Sequence, residues 1–242
     1  MILALIFATV FATSVLSGIL GMAGGMILMA VLVASLGVTT AMVLHGAVQA
    51  TANGSRAWFL RRYILWKILP AYVAGAGASV AVFTMLVFVP HPGLVMILVG
   101  TFPWAARLSK HLQGLDVTRP LTGFSCGFVV TSAQLLAGAS GPLLDVFYLR
   151  SPLNRQQIVA SKALTQTLGH VLKVIYYGLI VAVTADLQTW VYPLAMVIAV
   201  AGTRVGTNLL ARWNDRDFQR ISQVIILTIA TVCIAQGLWM LV

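Results

Sequence analysis

The chain is a succession of apolar segments, at about 2–20, 26–41, 42–61, 68–89, 93–106, 120–138, 142–150, 156–182, 189–211 and 221–241, with most of its charges in the gaps between them. A helix needs about 20 apolar residues to cross the hydrocarbon core of a bilayer. Ten such segments use up nearly all 242 residues and leave no room for a separate aqueous domain. Composition agrees, since 60% of residues are hydrophobic and only 8% charged, too few to cover the surface of a soluble domain. The expected fold is therefore an all-α integral membrane protein of about ten segments. Segments 93–106 and 142–150 are shorter than a span, so they are tilted, extended by neighbouring residues, or re-entrant. No basic stretch precedes the first segment, which reads as a retained helix and not as a cleaved signal peptide.

Lys and Arg number 15 against five Asp and no Glu, a net charge of +10. On a soluble domain that excess would suggest nucleic acid; between spanning helices it reports the positive-inside bias, and no nucleic-acid partner is expected. The basic residues follow alternate segments: Arg56, Arg61, Arg62 and Lys67, then Arg107, Lys110 and Arg119, then Arg150 and Arg155, then Arg212, Arg216 and Arg220. Those gaps face the cytoplasm. The connections around Gly37–Thr40, Pro90-His91-Pro92 and Thr184–Thr189 hold no Lys or Arg and face outward, which puts both termini outside. The expected location is the bacterial cytoplasmic membrane. Cys126 and Cys233 lack CxxC or CxxH spacing and are expected to be buried small hydrophobes, with no metal site and no cofactor.

An internal similarity organises the rest. Gly21-Met-Ala-Gly24-Gly25 resembles Gly138-Ala-Ser-Gly141-Pro142, and each is followed by the same polar ladder, His45, Gln49, Asn53 and Arg56 in one half and Lys162, Gln166, His170 and Lys173 in the other. Every member of the second set stands 117 residues after its counterpart. Steps of three and four keep each ladder on one helical face. The expected organisation is a duplication, 1–116 and 117–242, forming one compact transmembrane domain. Five segments per half is an odd number, so the second half is inverted relative to the first, as in secondary transporters whose halves alternately expose a central site. The basic stretch after the first ladder has no counterpart after the second, near Asp186, which agrees with inversion.

In such folds the substrate sits near the midplane beside broken helices. The glycine-rich stretches break the apolar pattern at corresponding places and free backbone N–H groups beside a helix N-terminus, a setting suited to an anion. Gln49 and Gln166 lie mid-helix, where an amide facing lipid would be costly, so they should face an interior cavity or another helix. Cations and amides without Glu suit a negatively charged substrate, whereas an inorganic cation would require carboxylates or carbonyls. The candidate binding residues are Gly24, Gly25, His45, Gln49, Asn53, Ser140, Gly141, Lys162, Gln166 and His170. Arg56 and Lys173, near the ladder ends, read as interfacial anchors, and His170 reads as a hydrogen-bonded core residue before a titrating one. Asp145 is the acid expected nearest the membrane interior, either carrying a coupling proton or pairing with a Lys or Arg.

The sequence resembles the TauE/SafE sulfite exporter family, the sulfonate uptake permeases. The resemblance rests on Ser17-Gly18-Ile-Leu-Gly21-Met-Ala-Gly24-Gly25-Met26, on His45 to Arg62, on Gly127 to Gly178, and more weakly on Ala201-Gly202-Thr203-Arg204-Val205-Gly206. Ala23 interrupts the family's run of three glycines, and Met29-Ala30-Val31 stands where a proline is usual. The resemblance implies export or import of a sulfur-containing anion such as sulfite, thiosulfate or an organosulfonate, and it leaves room for a coupling proton and a homodimer.

Two other readings compete. Gly138-Ala139-Ser140-Gly141 has the GxSG form of intramembrane serine proteases, with His170 as the base, but a Ser–His dyad gives no reason for the duplication, and Ala23 stands where the repeated serine would be. A non-transporting membrane assembly subunit would tolerate substitution of the midplane polar residues, contrary to a substrate pathway. A transporter, not an enzyme, is the expected function.

Overall fold

Local chemistry sets where the helices begin and end. Asn154 accepts from the Gln157 N–H at 2.9 Å, while the Gln157 side chain accepts from the Asn154 N–H at 3.1 Å, a capping box that opens the helix Arg155–Ile175. Pro120 opens the helix Pro120–Ala137, which ends where Gly138 takes φ +74°, a left-handed conformation that glycine adopts without a Cβ penalty. The helix Leu69–Leu86 also has proline in its first turn, but it ends at Val87, which holds φ 47°.

The computed structural model describes residues 2–20, 23–108, 115–148, 150–181, 187–210 and 215–241, and at 20, 210 and 215–222 the backbone alone. Its helices are α1 (Ile2–Leu20), α2 (Ala23–Ser35), α3 (Val38–Phe59), α4 (Leu69–Leu86), α5 (Pro92–Leu108), α6 (Pro120–Ala137), α7 (Gly141–Tyr148), α8 (Arg155–Ile175), α9 (Val191–Leu210) and α10 (Asp215–Trp239). Two 3-10 turns, Arg61–Tyr63 and Trp66–Ile68, join α3 to α4, and a π turn, Tyr176–Ile180, continues α8. The all-helical expectation holds among the described residues. One boundary differs: α2 ends at Ser35 and α3 begins after an extended Gly37, not near residue 41, because the apolar pattern runs on across this turn and hides it. Gly21, Lys110, Asp186 and Arg212 lie outside the described residues.

Among the described residues, three helical stretches are long and apolar enough to span a membrane by themselves: Ile2–Ile19, Trp66–Leu86 and Pro120–Ala137. α3 and α8, with 22 and 21 residues, have the length but carry the polar ladders. α7 has eight residues and cannot cross.

Helices pair through close backbone approaches. α1 runs parallel to α9: a Cβ on Gly206 would lie 2.1 Å from the Val15 carbonyl oxygen, and one on Gly202 would lie 2.8 Å from that of Phe11. α4 runs parallel to α6, where Cβ atoms on Gly75 and Gly127 would each come within 2.0 Å of a carbonyl oxygen, of Phe124 and Tyr72 respectively, and Ser79 and Ser132 share a 2.9 Å hydrogen bond. α5 and α10 run antiparallel through Gly93 and Gly237. Small residues let backbones approach in this way inside a membrane, where packing rather than water exclusion joins helices. At the centre α3 and α8 lie antiparallel, with His45 beside Lys173 and Gly54 beside Thr167. Leu28, Met29, Leu32, Met42 and Leu44 of α2 and α3 are fully buried in the main apolar cluster. Cys126 and Cys233 are buried free thiols.

Candidate functional site

The ladders of α3 and α8 face each other across a cavity of about 30 Å³, above the 10–15 Å³ or so that one water requires. His45, Gln49, Asn53 and Arg56 line it from α3, Gln166 and His170 from α8, Gly25 and Met26 from the start of α2, and Ala139, Ser140 and Gly141 from the turn into α7. Eight of the ten candidate residues therefore meet at one place. The other two lie outside the lining. Gly24 packs on α1, where an added Cβ would lie 2.0 Å from the Thr13 carbonyl oxygen. Lys162, one turn before Gln166, forms an ion pair with Asp145 of α7.

Hydrogen bonds orient the lining. Asn53 Nδ2 donates to the Gln49 carbonyl at 3.0 Å and to Gln49 Oε1 at 3.4 Å. That engages the acceptor end of the Gln49 amide and leaves its NH₂ beside Gly25, where a Cβ would lie 3.3 Å from Nε2. His45 Nε2 lies 2.9 Å from the Gly25 carbonyl oxygen, so the network assigns the proton to Nε2 and makes Nδ1 the acceptor. Lys173 Nζ donates to that Nδ1 at 2.8 Å and to the Gly138 carbonyl at 2.8 Å. One chain of contacts thus runs from the break before α7, through Lys173 and His45, to the start of α2.

Two expectations need correction. Lys173 is 0% exposed and bonded at the core, so it does not snorkel to the interface. Arg56 lines the cavity and donates from Nη2 to the Ser17 carbonyl at 3.1 Å, tying α3 to the end of α1. Ladder spacing fixes the face of a helix but not how deep its ends lie, which is why the anchor reading failed. His170 also departs from expectation: it packs 5.5 Å from the His45 ring, but its buried Nδ1 has no hydrogen-bond partner, and neither does the buried Ser140 hydroxyl. Ser140 and His170 line the same cavity, and no hydrogen bond joins them. Asp145 pairs with Lys162.

The sequence reading also missed residues on the helices before the breaks. Gln134 of α6 is buried with both side-chain polar atoms unpaired, pressed on Gly169 of α8. Ser17, whose carbonyl holds Arg56, stands 117 residues earlier, and Ser14 and Thr131, both buried, are separated by the same interval. The signal was present as polar residues on otherwise apolar helices at the repeat spacing.

Apolar helices long enough to span, and a cavity between α3 and α8 lined by amides, imidazoles and an arginine, define a membrane protein with a polar site between its helices. Residues 6–232 match the family Sulfite exporter TauE/SafE, and the chain belongs to that family of membrane transport proteins. No curated protein and no solved structure matches it.

Proposed function

We propose that the protein is a secondary carrier that moves a small sulfur-containing anion, such as sulfite, thiosulfate or an organosulfonate, across the cell membrane by alternating access. The observation that carries this reading is the cavity itself. The unpartnered Ser140 hydroxyl, the Gln49 NH₂ and Arg56 converge on it beside the starts of α2 and α7, where backbone N–H groups lack intrahelical acceptors. A sulfur oxyanion takes up such donors, and among the described residues no carboxylate lines the space to repel it. Gly25, Asn53, Gly141, Gln166 and His170 complete the wall, while Lys162 supplies positive charge from one turn away.

The reading includes two inverted repeats, 1–116 and 117–242, with both termini outside. Helix pairing supports it. Advancing each element by five turns the parallel pair α1 and α9 into the parallel pair α6 and α4, and returns α3 with α8 and α5 with α10 to themselves. Membership of a sulfite exporter family supports the substrate class.

Flux of radiolabelled sulfite, thiosulfate and methanesulfonate into proteoliposomes, with and without a pH gradient, tests the proposal. Saturable uptake of at least one anion is expected, and Gln49→Ala with Gln166→Ala should lower its kcat/KM by about tenfold or more, the value of one or two hydrogen bonds to a charged group. Absence of flux for all three sinks the substrate class. Unchanged flux in the double variant sinks the site.

A further inference from the structure

The two ends of the α3–α8 contact are unlike in charge. At one, Lys173 is 0% exposed and its acceptors, a carbonyl and an imidazole, carry no negative charge. At the other, Arg56 lines the cavity opposite Gln166, Lys162 stands one helical turn before Gln166, and Lys162 is paired with Asp145. These ends correspond, because positions 45 and 173 become 162 and 56 when each is carried to the other half by 117 residues. Exposure separates them: the Lys162 side chain is 20% exposed and that of Asp145 37%. Ionised groups inside a membrane protein face water or each other, not lipid. The Arg56–Lys162 end is therefore the open one and the His45–Lys173 end is sealed.

A carrier working by alternating access must also adopt the reverse arrangement, in which the Arg56–Lys162 end closes as tightly as the other end does now. That closure presses two cations together as water leaves, which is strongly unfavourable unless an anion lies between them. When the carrier is loaded, the substrate can be that anion. When it is empty, the chain must supply its own, and Asp145 is the one acid within α1–α9.

We infer that Asp145 is a tethered stand-in for the substrate's charge, which lets the empty carrier close its Arg56–Lys162 end and return, so that the protein performs net transport and not exchange alone. The inference rests on the carrier reading above. A bound anion takes over the cations and releases the carboxylate into the hydrated open end; once the anion leaves, the carboxylate returns to Lys162. In the first half position 28, which corresponds to Asp145, is Leu28, so the His45–Lys173 end has no such device and is satisfied by uncharged acceptors.

The test compares two modes in proteoliposomes, using whichever of sulfite, thiosulfate or methanesulfonate the wild type carries: net uptake into empty vesicles, and counterflow into vesicles preloaded with the same unlabelled anion. In Asp145→Asn the ratio of net uptake to counterflow should fall by about tenfold or more, the scale set by one uncompensated charge in a membrane interior. Asp145→Glu should keep the ratio within about threefold of wild type, because the charge is retained. An unchanged ratio in Asp145→Asn overturns the inference, as does loss of both modes together or an equal fall in Asp145→Glu. Should Asp145→Asn fail to fold, the double variant Asp145→Asn/Lys162→Gln removes the cation along with its partner; its ratio should match wild type, and a tenfold fall there overturns the inference. Failure of the carrier reading looks different, with neither mode detectable in the wild type.

Discussion

Lys173 shows how much a single buried cation can hold together. It is fully buried, donates to two acceptors from different elements, and connects the α6–α7 break to His45 on the opposite ladder. Lys173→Met fills a similar volume without the donor, so it leaves the His45 Nδ1 and the Gly138 carbonyl unsatisfied at about 1–3 kcal/mol for each group. The expected outcome is a clear fall in melting temperature in detergent, measured by tryptophan fluorescence, because the lost bonds outweigh the relief of burying a charge. A variant as stable as wild type would mean that these two bonds only offset the desolvation of the ammonium. At this scale the sequence was legible in part. Spacing of three and four placed both ladders on single faces, and polarity alone marked Gln49 and Gln166 as inward. Depth was not legible, since Arg56 and Lys173 carry the same charge that an interfacial anchor would. Nor was partnership: nothing in the spacing of Lys162 and Asp145 says they meet across α7 and α8.

Elements join through glycines of two kinds, and the difference can be measured. At Gly127 an added Cβ would lie 2.0 Å from the Tyr72 carbonyl oxygen, a backbone atom that cannot give way unless α4 and α6 move apart. At Gly77, on α4 itself, nothing lies within 4 Å. Gly127→Ala should therefore destabilise by about 1–3 kcal/mol through overpacking of the seam, while Gly77→Ala should be neutral or stabilising by about 0.5–1 kcal/mol through lower helix-interior entropy cost. Thermal unfolding of the two purified variants checks both. Equal effects would show that the α4–α6 seam does not depend on backbone contact. Helix limits were readable where proline, glycine or a capping residue marked them, as at Pro120, Gly138 and Asn154. The turn at Gly37 was obscured because α2 and α3 are apolar on both sides of it.

At the scale of the whole molecule the proposal depends on orientation. If the halves are inverted, the connector after each ladder helix lies on opposite sides of the membrane, even though the two helices share one pattern. After α3 comes a stretch rich in Arg and Lys that includes the exposed Lys67; after α8 comes a stretch without basic residues that includes the exposed Thr189. The positive-inside bias puts Lys67 in the cytoplasm and Thr189 outside. Cys126 and Cys233 are buried, so a single introduced cysteine can be read against a low background. In intact cells a membrane-impermeant maleimide should label Thr189→Cys and spare Lys67→Cys, and both should react once the membrane is opened. The antiparallel contact of α3 with α8 already requires that the two ladders run in opposite directions, so labelling of both cysteines from one side would mean that one connector crosses the bilayer again before it surfaces. The positive-inside assignment of that connector would then be wrong, and the inverted placement of the two repeats, which puts the connectors after α3 and α8 on opposite sides, would fall with it.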